Sequence, residues 1–161
     1  MSSKNKTSWT QKLNVKKDLP KVVSLDEKGA KRWGGKTMVI PSPLMVDEIM
    51  KRVPEGKLIT VASIRAYLAK KHACDIACPL TTGIFTWISA NASEEQQLFG
   101  EPNTTPYWRT LKTRGLLNEK YPGGIKKQKQ LLESEGHKVL KSGKNYIVKS
   151  WEQKEFDLFT H

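Results

Sequence analysis

The sequence predicts a mainly α fold with small β hairpins, and three observations carry that expectation. Apolar residues recur at helical spacing in three stretches between 43 and 98, each with a start or stop signal beside it. Two short runs flank Ser142-Gly143-Lys144-Asn145 as the arms of a hairpin would. The chain has 161 residues, 37% of them hydrophobic, so a real core can form, and no stretch approaches the roughly 20 apolar residues of a membrane span.

Residues 1–36 are rich in Lys, Ser and Asn and show no sustained period, which predicts a flexible basic arm that orders only on contact, with Trp9 and Trp33 as its anchors. Order should begin near Met38-Val39-Ile40. Ser42 is an N-cap and Pro43 a first helical residue; Met45, Ile49, Met50 and Val53 form an apolar face, and Pro54-Glu55-Gly56 stops the helix near Arg52. Asp47 and Glu48 suit its positive end. Thr60 then caps a second helix, with Ala62, Ile64 and Leu68 inward, ending around Lys71 or His72. A third helix follows Pro79, capped by Thr81 or Thr82, with Ile84, Phe85, Ile88 and Ala92 inward and Glu94 to Gln97 exposed; Gly100 and Pro102 close it.

Beyond it, Thr105 to Leu117 reads as extended with a turn at Thr113-Arg114-Gly115. A loop through Tyr121-Pro122-Gly123-Gly124 leads to a helix over Ile125 to Glu135, with Gly136 as its C-cap. The basic hairpin comes next, and Trp151 to Phe159 reads as a short amphipathic helix. Two short helices joined by a tight connection, the second carrying small and hydroxyl residues at its N-terminus, are how a helix-turn-helix presents itself to a major groove. The domain organisation expected is an arm over 1–36, a winged-helix domain over 37–150 and a C-terminal segment over 151–161.

Charge narrows the partner. There are 28 Lys and Arg against 16 Asp and Glu, a net charge of +12, which favours a polyanion such as nucleic acid. The arm carries +7 of this excess and the remainder +5. Without an apolar signal core at the N-terminus, the chain is expected inside the cell, in the cytoplasm and associated with the nucleoid when bound to DNA. Cys74 and Cys78, four residues apart, would pair poorly, so free thiols in a reducing compartment are expected. With His72 and His137 they invite a zinc reading, but the spacing is not that of a zinc finger, and neither metal nor cofactor is expected.

Three stretches, in order, resemble the DNA-binding C-terminal domain of alkylguanine-DNA alkyltransferases and their alkyltransferase-like relatives. Val53-Pro54-Glu55-Gly56-Lys57-Leu58-Ile59-Thr60 is similar to the family's Val-Pro-x-Gly-Lys-Val-x-Thr. Thr105-Pro106-Tyr107-Trp108-Arg109-Thr110-Leu111 sits where the family carries Pro-Cys-His-Arg-Val. Tyr121-Pro122-Gly123-Gly124 and Leu131-Leu132-Glu133-Ser134-Glu135-Gly136-His137 resemble its Gly-Gly loop and Leu-Leu-x-x-Glu-Gly helix end. The resemblance covers roughly residues 38 to 140. It implies a winged helix-turn-helix of the alkyltransferase C-terminal domain type, in which the third helix enters a DNA groove and a damaged base turns into a pocket beside it.

The departures set the chemistry. Tyr107 stands at the family's nucleophilic cysteine and Trp108 at its histidine. A phenol with a pKa near 10 is a poor nucleophile at neutral pH and an indole is no base, so the resemblance implies binding without alkyl transfer and no catalytic residues. Glu135 matches the activating carboxylate but has nothing to activate, which leaves it a helix-end salt bridge. The family's nucleotide-rotating Tyr falls at Val61, its arginine finger at about Thr82, and its pocket Asn at Asn91. Tyr107, Trp108, Asn91 and Val61 are thus the expected lesion pocket. Thr60, Thr81, Thr82, Ser89, Arg109, Lys126 and Lys127 are the expected DNA contacts, mostly to phosphate. Arg109 also suits a structural role in its loop, and Lys129, Lys141 and Lys144 are further candidates for phosphate.

The function expected is that of a monomeric protein on double-stranded, alkylated DNA, sensing damage and recruiting a repair partner. Two alternatives stand beside it: an architectural or regulatory winged helix with no lesion preference, and an active methyltransferase with an unrecognised nucleophile.

Overall fold

The computed structural model describes residues 7–160. Several of its helices start on side-chain caps. Ser42 accepts the Met45 N–H and begins α3 (Pro43–Lys51), which buries Val46, Ile49 and Met50. Thr60 and Ser63 form a reciprocal capping box at the start of α4 (Val61–Lys71), whose Ile64 and Leu68 face the core. Helix α5 (Pro79–Leu98) is 20 residues long and crosses the molecule against α3. Helix α6 (Gly124–Ser134) starts from Gly123 and Gly124, both in the left-handed region that glycine tolerates.

The expected flexible arm is instead built into the fold over much of its length. Helix α1 (Trp9–Leu13) lies along α5, with the Glu95 carboxylate accepting the Trp9 and Thr10 N–H groups at 3.1 and 3.0 Å. Leu13 is buried with Ile88 and Ala92. Strand β1 (Lys21–Ser24) pairs antiparallel with β2 (Thr37–Ile40), and α2 (Glu27–Trp33) joins them. Strand β4 (Ile76–Ala77) pairs parallel to β2 and completes a three-stranded sheet. Sequence period alone missed this layer because its elements are short and find their partners far along the chain.

Two smaller ladders position the rest. Strand β3 (Ile59–Thr60) runs parallel to β5 (Thr110–Leu111), fixing the loop after Tyr107 beside the start of α4. The hairpin falls where expected, β6 (Val139–Ser142) against β7 (Asn145–Val148), with Ser142 opposite Asn145 across Gly143-Lys144. Its β7 edge holds Leu117 through a 2.9 Å bond from the Leu117 N–H to the Tyr146 carbonyl.

Three further expectations are corrected. Residues 151–159 form a single 3-10 turn (Trp151–Lys154) followed by an irregular tail that bends into a turn at 158–160, because the Phe156 N–H donates to the Leu58 carbonyl at 2.7 Å and Leu158 is drawn into the core. The segment Thr105 to Leu117 is extended only in part: 3-10 turns over Tyr107–Arg109 and Thr113–Gly115 flank the two-residue β5, the second of them where a turn is expected; Gly115 has φ +78°, and a Cβ there would lie 2.3 Å from the Trp151 ring. Finally, α5 starts at Pro79 and not at Thr81 or Thr82, and Ile84, expected inside, is half exposed.

Candidate nucleic-acid interface

The segment 105–121 is fixed by side chains from three helices. Asp47 of α3, buried, accepts the Ser89 hydroxyl at 2.5 Å and the Thr105 hydroxyl at 2.6 Å. Ser93 of α5 donates to the Thr105 carbonyl at 2.7 Å. Gln128 of α6, also buried, donates to the Trp108 carbonyl and accepts the Asn118 N–H at 2.8 Å. Tyr121 closes the loop with a 2.9 Å bond to the Thr110 carbonyl. A loop tied at so many points is preorganised, so a ligand meeting it need not order it first.

At its centre lies the 3-10 turn Tyr107–Arg109. Tyr107 is 0% exposed, packed edge to face against both Trp108 and Tyr121 at 5.5 and 5.3 Å between ring centroids. Its hydroxyl has no hydrogen-bond partner among the described residues. Burial, with the Glu94 carboxylate nearby, pushes the phenol well above its ordinary pKa. Glu135 receives the Arg109 guanidinium through Nε at 3.0 Å and Nη2 at 2.7 Å, and the Trp108 indole N–H at 3.0 Å. Burial would raise this carboxyl, but those donors and the Gly56 N–H hold it below the ordinary carboxylate range. Arg109 also donates to the Val53 carbonyl at 2.8 Å. Beside it the buried His137 is held below the usual histidine pKa by desolvation, against the pull of Glu135.

The open surface lies elsewhere. A groove of about 970 Å³ runs along the N-terminal half of α5, opposite residues 112–120. Leu80, Ile84 and Trp87 line it from the helix, Val61 and Thr86 from its floor, and Leu116 and Asn118 from the facing loop. Lys112, Arg114 and Lys120 stand at its edge with Glu119, which pairs with Lys112 at 3.3 Å. The lining residues include no cysteine; Cys78, buried just ahead of α5, and Cys74 are free thiols.

Of the four expected pocket residues, then, Val61 alone lines the groove. Tyr107 is seated in the core; Trp108 spends its one donor on Glu135; and Asn91 turns back on its own helix, donating to the Trp87 carbonyl at 2.9 Å. The expected DNA contacts divide in the same way. Thr60, Thr82 and Ser89 are buried and satisfied internally, as a cap, a 2.7 Å bond to the Cys78 carbonyl and the Asp47 bond. Arg109 is engaged by Glu135 and Val53, which is its structural role. Lys127 pairs with Glu94, whereas Lys126 is exposed and Thr81 is half-buried near the α5 start. Lys112, Arg114 and Lys120 were missed because their loop shows no period, and only contact with α5 reveals them as an edge. Among the described residues no group of three or more His, Cys, Asp or Glu side chains is placed to hold a metal ion, and no helix is long and apolar enough to cross a membrane.

Three helices in this order, a parallel β3–β5 clamp on the Tyr107 loop and a hairpin wing define a winged helix-turn-helix fold. The fold is similar to that of the crystal structure of S. pombe Atl1 in complex with damaged DNA containing O6-carboxymethylguanine. The match has a TM-score of 0.50 and 18% sequence identity, over 71% of this chain and 94% of that one. No family model matches the sequence, and no curated protein does.

Proposed function

We propose that this protein binds double-stranded DNA, senses alkylated guanine in it and does not transfer the alkyl group. The observation that carries the reading is the separation of two sites that a transferase must combine. The groove that can receive a base is open and edged with Lys112, Arg114 and Lys120. The position that should hold the nucleophile is a sealed phenol whose pKa is pushed the wrong way for attack. Transfer of an alkyl group from guanine oxygen needs a reachable anionic nucleophile, and no thiol lines the groove. The similarity in fold to a protein solved on damaged DNA supports the same direction.

On this reading phosphates meet Lys112, Arg114, Lys120 and Lys126, and the base sits among Val61, Thr86, Leu116 and Asn118. The chain works as an intracellular monomer, without metal or cofactor, and marks the lesion for a repair protein. The test is equilibrium binding at fixed salt to one duplex carrying a single O6-alkylated guanine and to the same duplex unmodified. The expected preference is about tenfold, or roughly 1.4 kcal/mol, with the mass of the protein unchanged after incubation. Equal affinity that weakens steeply with salt would establish a general winged helix held by phosphates. A mass gain of one alkyl group would establish a transferase.

A further inference from the structure

The groove wall supplied by α5 is unusual for a surface that faces a polyanion. Leu80, Ile84 and Trp87 are 60%, 50% and 37% exposed, and their spacing places them in one stripe on the helix. Isolated exposed apolar residues need no explanation, but three in register beside a groove do. Trp87 is braced edge to face by Trp9 at 4.7 Å, so its position is fixed before any ligand arrives.

We infer that Leu80 and Ile84 form an apolar wedge that enters the DNA base stack from a groove and opens one base step, displacing a base toward the cavity beside α5. The inference rests on the DNA-binding reading and adds to it the residues that do the unstacking. Branched aliphatic side chains inserted between base pairs are a general means of unstacking and kinking a duplex, and the cost of a few kcal/mol per step is offset by backbone contacts. Here the contacts are at hand: Lys112, Arg114 and Lys120 stand across the groove from the stripe. Leu80 and Ile84 are separated along the helix by about 6 Å, roughly two base-pair rises, so their tips fit on either side of a single displaced nucleotide.

The occupant is DNA and not an apolar protein surface because of that charge. A protein partner matched to the stripe would have to bury the cationic edge or supply carboxylates for it, whereas a duplex presents phosphates and an apolar stack at the same spacing. The α5 N-terminus adds to this complementarity, since its first turn has no acidic residue and Cys78 gives it no side-chain hydrogen bond.

The experiment uses the full chain and a duplex carrying 2-aminopurine at one central position, a probe whose fluorescence rises when it loses its stacking neighbours. Binding to the same duplex without the probe is measured in parallel at fixed salt. The wild type should raise the fluorescence severalfold at saturation. A double variant, Leu80→Ser with Ile84→Ser, should bind the unlabelled duplex more weakly than wild type and, at concentrations that saturate the duplex, leave the fluorescence at its free-duplex level. Both side chains are exposed, so matching thermal unfolding curves will show that the variant is folded. Wild-type binding with unchanged fluorescence overturns the wedge while the DNA-binding reading stands. A variant that unstacks the probe as well as wild type overturns the assignment to these residues. Absence of duplex binding by the wild type overturns the DNA reading, and the wedge with it.

Discussion

Helices α3 and α5 lie against each other, yet they divide polar and apolar residues in opposite ways. α3 buries Val46, Ile49 and Met50, with Asp47 its one buried charge. α5 buries Thr82, Thr86, Ser89 and Ser93 and turns Leu80, Ile84 and Trp87 outward. Each inward hydroxyl of α5 has a fixed acceptor: Cys78 and Gly83 carbonyls for the threonines, Asp47 for Ser89 and the Thr105 carbonyl for Ser93. Small hydroxyl residues, with Ala90 and Ala92 beside them, let α5 approach its neighbours closely and lock them by direction. α3 supplies hydrophobic burial; α5 supplies registration inside and leaves its apolar groups free for a ligand.

The largest expected effect comes from the polar centre behind α5. Arg109→Gln removes the guanidinium from a Glu135 side chain that is 5% exposed, and breaking such a pair costs about 3 to 5 kcal/mol. Urea unfolding at neutral pH checks this. The pH dependence sharpens it. In the wild type Glu135 is held below its ordinary value of 4.5, so its contribution is present above that pH and is lost as pH falls through the lower, folded value. Without Arg109, burial dominates and raises the carboxyl, which then favours folding when protonated. The stability gap between variant and wild type should therefore narrow as the pH is lowered from 7 to 4. A constant gap would mean that Arg109 acts by packing alone.

That pair was legible in the sequence only through the family resemblance, which set Glu135 at a carboxylate position and Arg109 within the Pro-Cys-His-Arg-Val-like segment but gave neither its partner. Caps were legible directly, because Ser42 and Thr60 act on N–H groups three residues away. The hairpin was legible for the same reason of short range. The orientation of α5 was not. Its period invited Ile84 inward, and nothing in the local sequence announces that Thr86 and Ser89 have buried acceptors, one of them 42 residues away. The N-terminal layer was hidden likewise, since α1 depends on Glu95, more than 80 residues on. Whether Tyr107 faces a pocket or the core was not legible locally, because its burial depends on packing against Tyr121 and Trp108.

A second test breaks the link between the two helices. Asp47→Ala leaves the Ser89 and Thr105 hydroxyls buried with one acceptor gone, and frees a cavity where α3, α5 and the Tyr107 loop meet. The cost expected is about 2 to 3 kcal/mol in unfolding free energy, smaller than at Arg109 because neutral hydroxyls are left behind. Duplex affinity should fall along with stability, since the loop that faces the groove is tied through Thr105. Unchanged affinity in a destabilised protein would show that the groove edge is positioned from α6 instead, through Gln128 and Asn118.

The smallest effects set the inward and outward faces of α5 against each other with one substitution each. Ser89→Ala removes a single hydroxyl from the buried face, and the loss of its 2.5 Å bond to Asp47 should cost about 1 kcal/mol. Ile84→Thr removes apolar surface from a side chain already 50% exposed, and its cost should stay within about 0.5 kcal/mol. An ordinary amphipathic helix would rank these in reverse, because there the isoleucine is core and the serine faces solvent. Thermal unfolding of the two variants side by side therefore measures which face of α5 holds the fold. If Ile84→Thr proves the more damaging, the helix is oriented in solution as the sequence period first suggested, and the stripe that lines the groove is not available to DNA.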